Sequence, residues 1–158
     1  MYLKPVDIRW NDLDANRHLG NTAYISFMSH TRMAFFHDLG FTLEYLNSND
    51  IGPVVFYEHV YYLHEVLPGN PVQVSLEING LSADGMFFEF YHNMYDHQGR
   101  QVAHAQLMGG WINLTTRKLT SPTPEMNKKF NAVEKGEGFR VLTQKDTRPV
   151  RIPRKDLP

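Results

Sequence analysis

The feature that most limits how this chain can fold is an imbalance, one long helix against a succession of long strands. From Thr22 to Leu39, the residues Tyr24, Phe27, Met28, Thr31, Ala34, Phe35 and Leu39 recur at three- and four-residue steps. That spacing gathers them on one helical face. Gly20-Asn21 precede the run, with Asn21 placed as the N-cap, and Gly40 follows where a left-handed cap needs glycine. Thr42 then opens a short helical turn, LEYLNS. Everything else with a period reads as strand. Residues 5–10 (PVDIRW) alternate, and 54–67 are rich in β-branched and aromatic types. Val72, Val74, Leu76 and Ile78 alternate with polar residues. FFEFYHNMYD and QVAHAQLMGGWINLTT follow after turns at Ala83-Asp84-Gly85 and His97-Gln98-Gly99-Arg100. Gly109-Gly110 predict a bulge or a close backbone approach in the last strand. From about Pro122 the pattern dissolves.

One helix covers a sheet of five antiparallel strands only if the sheet curls around it. The expected fold is therefore α+β, a curled antiparallel sheet wrapped on helix 22–39. We divide the chain into a domain over 1–135 and a polar tail over 136–158. The open edge strand of such a sheet invites pairing with a second copy, so a homodimer, or a dimer of dimers, is expected.

Composition narrows the function by exclusion. Sixteen Lys and Arg stand against 17 Asp and Glu, a net charge of −1, which gives no reason to expect a nucleic-acid partner or an anionic membrane surface. The absence of Cys removes disulfides, thiolate metal sites and a Cys nucleophile. The first ten residues lack a signal-peptide core, and no window is apolar enough to span a membrane. A soluble, cytoplasmic protein is expected. Aromatics at 13% make an apolar ligand tunnel conceivable.

The polar stretch NDLDANRHLGNTAY, residues 11–24, admits three readings. Asp12, Asp14 and Asn16 open it like a calcium loop. Counting from Asp12, however, Arg17 occupies the turn-glycine position and Ala23 the position of the bidentate Glu, which excludes calcium. A plain polar turn before a helix is the second reading, since Asp, Asn and Gly are ordinary loop and cap residues. The third is catalytic. A helix N-terminus presents free N–H groups that can hold an oxyanion, and a carboxylate on the preceding loop can attack a carbonyl or activate water. Asp14, seven residues before Asn21, is close enough to fold back over the helix start.

The run R-W-N-D-L-D-A-N-R-H-L-G-N-T-A-Y resembles the N-terminal signature of hot-dog-fold acyl-CoA thioesterases of the 4-hydroxybenzoyl-CoA thioesterase-like group, D-x-D-x-x-x-H-V-N-N-x-x-Y-L. YLHEVLPGNPVQVSLEI is similar to the group's strand turn, and DHQGRQVAHAQLMGGWINLTTRKLTSPTPEM to its last hairpin, so the likeness runs over about residues 5–130. Gly20 departs from the Asn-Asn pair, Asn70 from an Asp, and Asn16-Arg17 replace small residues. The resemblance implies a hot-dog fold and hydrolysis of an acyl-CoA or acyl-carrier-protein thioester. It places Asp14 as nucleophile or general base, the Asn21 N–H on the carbonyl oxygen, His18 orienting Asp14 or assisting thiolate departure, and Tyr24 lining the acyl pocket. Neither metal nor redox cofactor is implied. Other hot-dog enzymes carry a Glu on the central helix, but helix 22–39 contains none, and its one acid, Asp38, is at the far end.

Glu58 and His59, on the strand after the helix, could approach a partner's Asp14 loop as supporting groups. Arg117 and Lys118, just after the last strand, are candidates for coenzyme A phosphates. The segment Arg140–Pro158, with six cations and two acids, is an equal candidate that reads more simply as a solvated tail. The eight His do not converge on a metal site: His59 and His64 differ in strand parity, His30 and His37 lack a Glu partner, and His92 and His104 fall on neighbouring strands. No phosphate loop and no G-x-S-x-G elbow occurs. The competing reading is a non-catalytic acyl-thioester or lipid-binding hot-dog. A hydratase is the third reading, disfavoured by the placement of the acid.

Overall fold

A computed structural model describes residues 1–157. Strand β1 (Tyr2–Val6) leads through a loop into helix α1 (Asn21–Asp38) and the short helix α2 (Leu43–Ser48). Strands β2 (Ile51–Tyr62), β3 (Val72–Ser82), β4 (Phe87–Tyr95) and β5 (Gln101–Asn113) follow, then α3 (Pro124–Ala132) and β6 (Lys135–Leu142). The sheet runs β1-β3-β4-β5-β2 with antiparallel neighbours, and β6 joins β3 in parallel beyond the end of β1. This is the hot-dog arrangement, with α1 held against the sheet by two apolar clusters. One is aromatic and includes Phe35, Phe36, Phe88, Phe90, Trp111 and Phe130; the other joins Tyr24, Phe27 and Met28 to Val72, Val74 and Met94. β2 ends the strand order, so its outer edge has no partner strand among the described residues.

Several boundaries differ from the sequence expectation, each for a physical reason. β1 lies earlier than 5–10 because Tyr2–Val6 pair with Val72–Leu76, and Arg9 and Asp12 then cap a tight turn. The N-cap of α1 is Gly20, and Asn21 is its first helical residue. The predicted strand 54–67 stops at Tyr62, where the chain leaves the sheet. The irregularity predicted at Gly109-Gly110 takes the form of a bulge in the opposing strand between Val55 and Tyr57. Gly109 is there for space, since a Cβ would stand 2.5 Å from the Phe88 ring. Beyond Pro122 the chain is ordered. Thr123 caps α3 through the Met126 N–H, Pro124 opens it, and Met126 and Phe130 bury one face.

β6 is held by charge rather than by apolar period. Glu89 on β4 is fully buried, and the Arg140 guanidinium donates to it at 2.8 and 3.1 Å while also pairing with Asp146. Thr143 and Arg140 together hold the Asp146 carboxyl down at about 2. Arg140 is thereby committed to the fold and removed from the phosphate candidates. Pro158 lies outside the described residues.

A second polar group is buried on the helix side. Arg32 of α1 donates to Glu58 at 3.5 Å, to Ser29 at 3.3 Å and lies 3.4 Å from His92 Nε2. His92 Nδ1 is 2.8 Å from the Ser75 carbonyl, so the neutral ring donates there and accepts from Arg32. Burial first, and the Arg32 charge second, lower the His92 pKa to about 3. His104 sits on the other face of the sheet, because its register partner is Asn93 while His92 pairs with Ala105.

Two stability experiments follow from these buried groups. Replacing Arg140 by Ala leaves Glu89 buried without its counter-charge and costs ~3 kcal/mol in urea unfolding; a loss below about 0.5 kcal/mol would contradict the clamp. For His92, the unfolded chain takes up a proton near the ordinary value of 6.5 that the folded protein refuses until about 3. Stability is therefore complete above that ordinary value and falls as the pH drops below it, by ~2 kcal/mol at pH 5. His92→Gln flattens this dependence, and an unchanged slope in the variant would assign it elsewhere.

Candidate active site

The loop between β1 and α1 is folded back on the helix start by its own backbone. Gly20 N–H donates to the Asp12 carbonyl at 2.8 Å, Asp14 N–H to the His18 carbonyl at 2.9 Å, and Arg17 N–H to the Asp14 carbonyl at 3.1 Å. Arg17 takes a positive φ of 66° to close this turn. Asp12 is nearly buried, and its carboxylate is occupied by the Arg9 N–H and guanidinium. Among the described residues no three His, Cys, Asp or Glu side chains converge as for a metal ion.

Asp14 stands directly over the helix cap. A Cβ on Gly20 would lie 3.6 Å from the Asp14 Cβ, so the departure from Asn-Asn falls where the Asp14 residue packs against the helix cap. Asp14 Oδ1 accepts the Asn16 N–H at 2.8 Å, and Oδ2 is 3.7 Å from His18 Nδ1. Ala23 N–H turns back to the Gly20 carbonyl, while the Asn21 N–H has no acceptor among the described residues. A carboxylate and a free amide at the positive end of an 18-residue helix thus share one small space.

That space is a cavity of about 310 Å³ lined by Asp14, His18, Asn21 and Tyr24, and across from them by Tyr62, His64 and Glu65. Larger hollows exist, such as one of about 510 Å³ beside Glu77 and Asn79, but no helix start opens into that one. The far wall went unanticipated because the sequence pattern ran the strand on to Leu67. In the structure Leu63 and His64 N–H both turn to the Val102 carbonyl, and Leu19 N–H donates to the Val66 carbonyl at 2.8 Å. That last bond ties the two walls together. The Tyr24 phenol pKa is raised, chiefly by burial, and further by Tyr62, Asp14 and Glu65, so both carboxylates act on the cavity.

The other candidates stand apart. Glu58 faces Arg32, and His59 is exposed on the opposite sheet face beside Tyr57. Arg117 and Lys118 follow the end of β5 that pairs with Ile51, whereas the cavity adjoins Tyr62, eleven steps or ~36 Å along β2.

The sequence profile described as the thioesterase-like superfamily matches residues 8–130. No curated sequence matches the chain. Among solved structures, a hypothetical protein from Staphylococcus aureus in complex with CoA superposes with a TM-score of 0.78 at 17% identity, over 98% of this chain and 95% of that one. A DHNA-CoA thioesterase from S. aureus gives 0.75 at 14% identity, covering 82% and 87% of the two chains. A 1,4-dihydroxy-2-naphthoyl-CoA thioesterase from Synechocystis gives 0.74 at 13%, covering 84% and 96%. At these identities the structures share the fold. The profile match spans most of the chain, including the whole loop-and-helix motif, and on that ground this chain belongs to the thioesterase-like superfamily.

Proposed function

We propose that the chain hydrolyses an acyl thioester to a free acid and a thiol, with Asp14 as the reacting carboxylate. The observation that supports this reading is that Asp14, packed against the Gly20 cap, and Asn21, whose N–H has no acceptor among the described residues, line one open cavity. The thioester carbonyl oxygen takes the Asn21 N–H, where the helix dipole favours the negative charge that develops on attack. Asp14 either draws a proton from the attacking water or adds to the carbonyl carbon itself. Both routes pass through an oxyanion at the same amide and break the C–S bond. In the first, the proton that Asp14 took from water goes to the departing thiolate; in the second, water then hydrolyses the acyl–Asp14 anhydride, regenerating the carboxylate and supplying that proton. His18, beside Asp14 Oδ2, orients the carboxylate.

Coenzyme A as the carrier is supported by the S. aureus structure of this shape, which holds CoA. Among the described residues of one chain, no Lys or Arg lines the cavity. A second copy supplies one if the free edges of two β2 strands pair antiparallel, because that pairing sets the partner's Ile51 end beside Tyr62. Arg117 and Lys118 of the partner subunit then lie at the cavity mouth. Such a homodimer also gives the unpaired edge a partner.

Asp14→Asn lowers thiol release from acyl-CoA thioesters on the order of 100-fold. Activity retained within a few-fold would refute the role, and tight binding without release in the wild type would favour a non-catalytic carrier. Replacing Arg117 and Lys118 together by Ala raises KM for a CoA thioester at least fivefold. KM for the same acyl group on N-acetylcysteamine, which has no phosphates, stays in place. Equal effects on both substrates, or a monomeric mass by light scattering, would contradict the shared site.

A further inference from the structure

Away from the cavity, helix α1 and strand β2 run side by side. Tyr24, Met28 and Arg32 stand four residues apart on the helix, a step of ~6 Å. Tyr62, Val60 and Glu58 stand two apart on the strand and share the face toward the helix, a step of ~6.6 Å. The steps match, and the residues meet in order. The Tyr24 and Tyr62 rings touch edge to face, Val60 packs on the cluster that holds Met28, and Arg32 donates to Glu58 at 3.5 Å. These three rungs form the floor of a corner between helix and strand. It begins at the cavity, where Tyr24 and Tyr62 are both wall residues. Its first two rungs are apolar and its third is an ion pair. The corner is open on the outside, because the outer edge of β2 has no partner strand among the described residues. Ile25 and Ser29, four and eight residues after Asn21, stand in the next row of the helix. Ile25 is 38% exposed, and Ser29 and Val60 are half-buried. Apolar surface thus leads away from the Asn21 amide along an unpaired edge, and the second copy proposed above would continue the sheet past β2 and cover it.

The far end of the corner is a charged stop. The Arg32 guanidinium reaches back to the Ser29 hydroxyl at 3.3 Å, so it lies level with Ser29. From Asn21 to Ser29 is eight residues of helix, ~12 Å. From Tyr62 to Glu58 is four residues of strand, ~13 Å. An extended chain advances ~1.2 Å per bond, so about ten carbons fill the distance from the amide to the ion pair. A longer chain would have to part Arg32 from Glu58, leaving buried charge without its partner. We infer that this corner holds the acyl chain of the substrate, and that the Arg32–Glu58 pair limits it to a medium-length saturated chain of about eight to ten carbons. This rests on the thioesterase reading above and names its substrate class.

The test is a series of saturated acyl-CoA thioesters from butanoyl to hexadecanoyl, below their micelle concentrations. Each methylene buried is worth about fourfold. The expected result is that kcat/KM rises at least tenfold from butanoyl to decanoyl and falls at least tenfold from decanoyl to hexadecanoyl. Ser29→Phe fills the far end of the corner and moves the optimum down by at least two carbons. Arg32→Met together with Glu58→Leu removes both charges at once, which a buried pair tolerates, and moves the optimum up by at least two carbons. A flat profile, or an optimum at butanoyl or hexadecanoyl, overturns the inference, as does an optimum that neither variant shifts. If no ester is hydrolysed, the thioesterase reading falls, and calorimetry of the wild type with S-alkyl-CoA thioethers tests the corner by itself. Tightest binding by octyl or decyl supports it, and tightest binding by butyl or hexadecyl, or no dependence on length, ends it.

Discussion

The hydrogen bond from the Gly20 N–H to the Asp12 carbonyl is small, but the candidate site is built on it. It turns the loop from β1 back over the start of α1, so that a carboxylate rests on the end of the helix where positive charge collects. An amide at a helix start has no intrahelical acceptor and is ordinarily left to water or a cap. Here the cap is a glycine, which offers no side chain, and the amide that follows stays free. Had residue 20 carried a side chain, its Cβ would have met Asp14 in van der Waals contact and competed for the same space.

The remaining structure serves to hold that helix end still. The curled sheet grips the C-terminal part of α1 through edge-on aromatic pairs, such as Phe36 against Phe90 at 6.0 Å, and its N-terminal part through the apolar packing of Tyr24, Phe27 and Met28. Apolar contact does not specify register, and two buried polar groups contribute what it lacks. Arg32 ties the helix to β2 and β4 through Glu58 and His92, and Arg140 ties β6 to Glu89. Each places a charge where a shifted register would leave it without a partner. The connection from Leu19 to Val66 carries this rigidity to the cavity, since it joins the loop that holds Asp14 to the chain leaving β2.

How much was legible in the sequence follows from which forces leave a period. The helix from 21 to 38 and the four long strands show in the pattern because one face of each is buried, and alternation or a three-to-four step records that. The loop motif was legible for a different reason, since Asp14, His18, Asn21 and Tyr24 fall within eleven residues and a local fold brings them together. Tyr62, His64 and Glu65 were not, because they reach the site only through a long-range backbone bond that no spacing encodes. β6 was missed for a related reason. Its attachment is a charge pair with Glu89 and a short parallel ladder, and neither needs apolar alternation. α3 did carry a signal, Thr123 before Pro124 with Met126 and Phe130 four apart, which a nine-residue helix makes easy to pass over. Arg32 and His92 were not legible either, since neither residue type nor spacing records that the structure buries both.

The account stands or falls on where the thioester oxygen sits. A crystal structure with a non-hydrolysable analogue, a CoA ketone in which a methylene replaces the departing sulfur, measures this directly. The predicted result is a carbonyl oxygen about 3 Å from the Asn21 amide nitrogen, with the Asp14 carboxylate facing the carbonyl carbon. An analogue bound with its carbonyl turned away from Asn21, or seated in another hollow of the molecule, would contradict the claim.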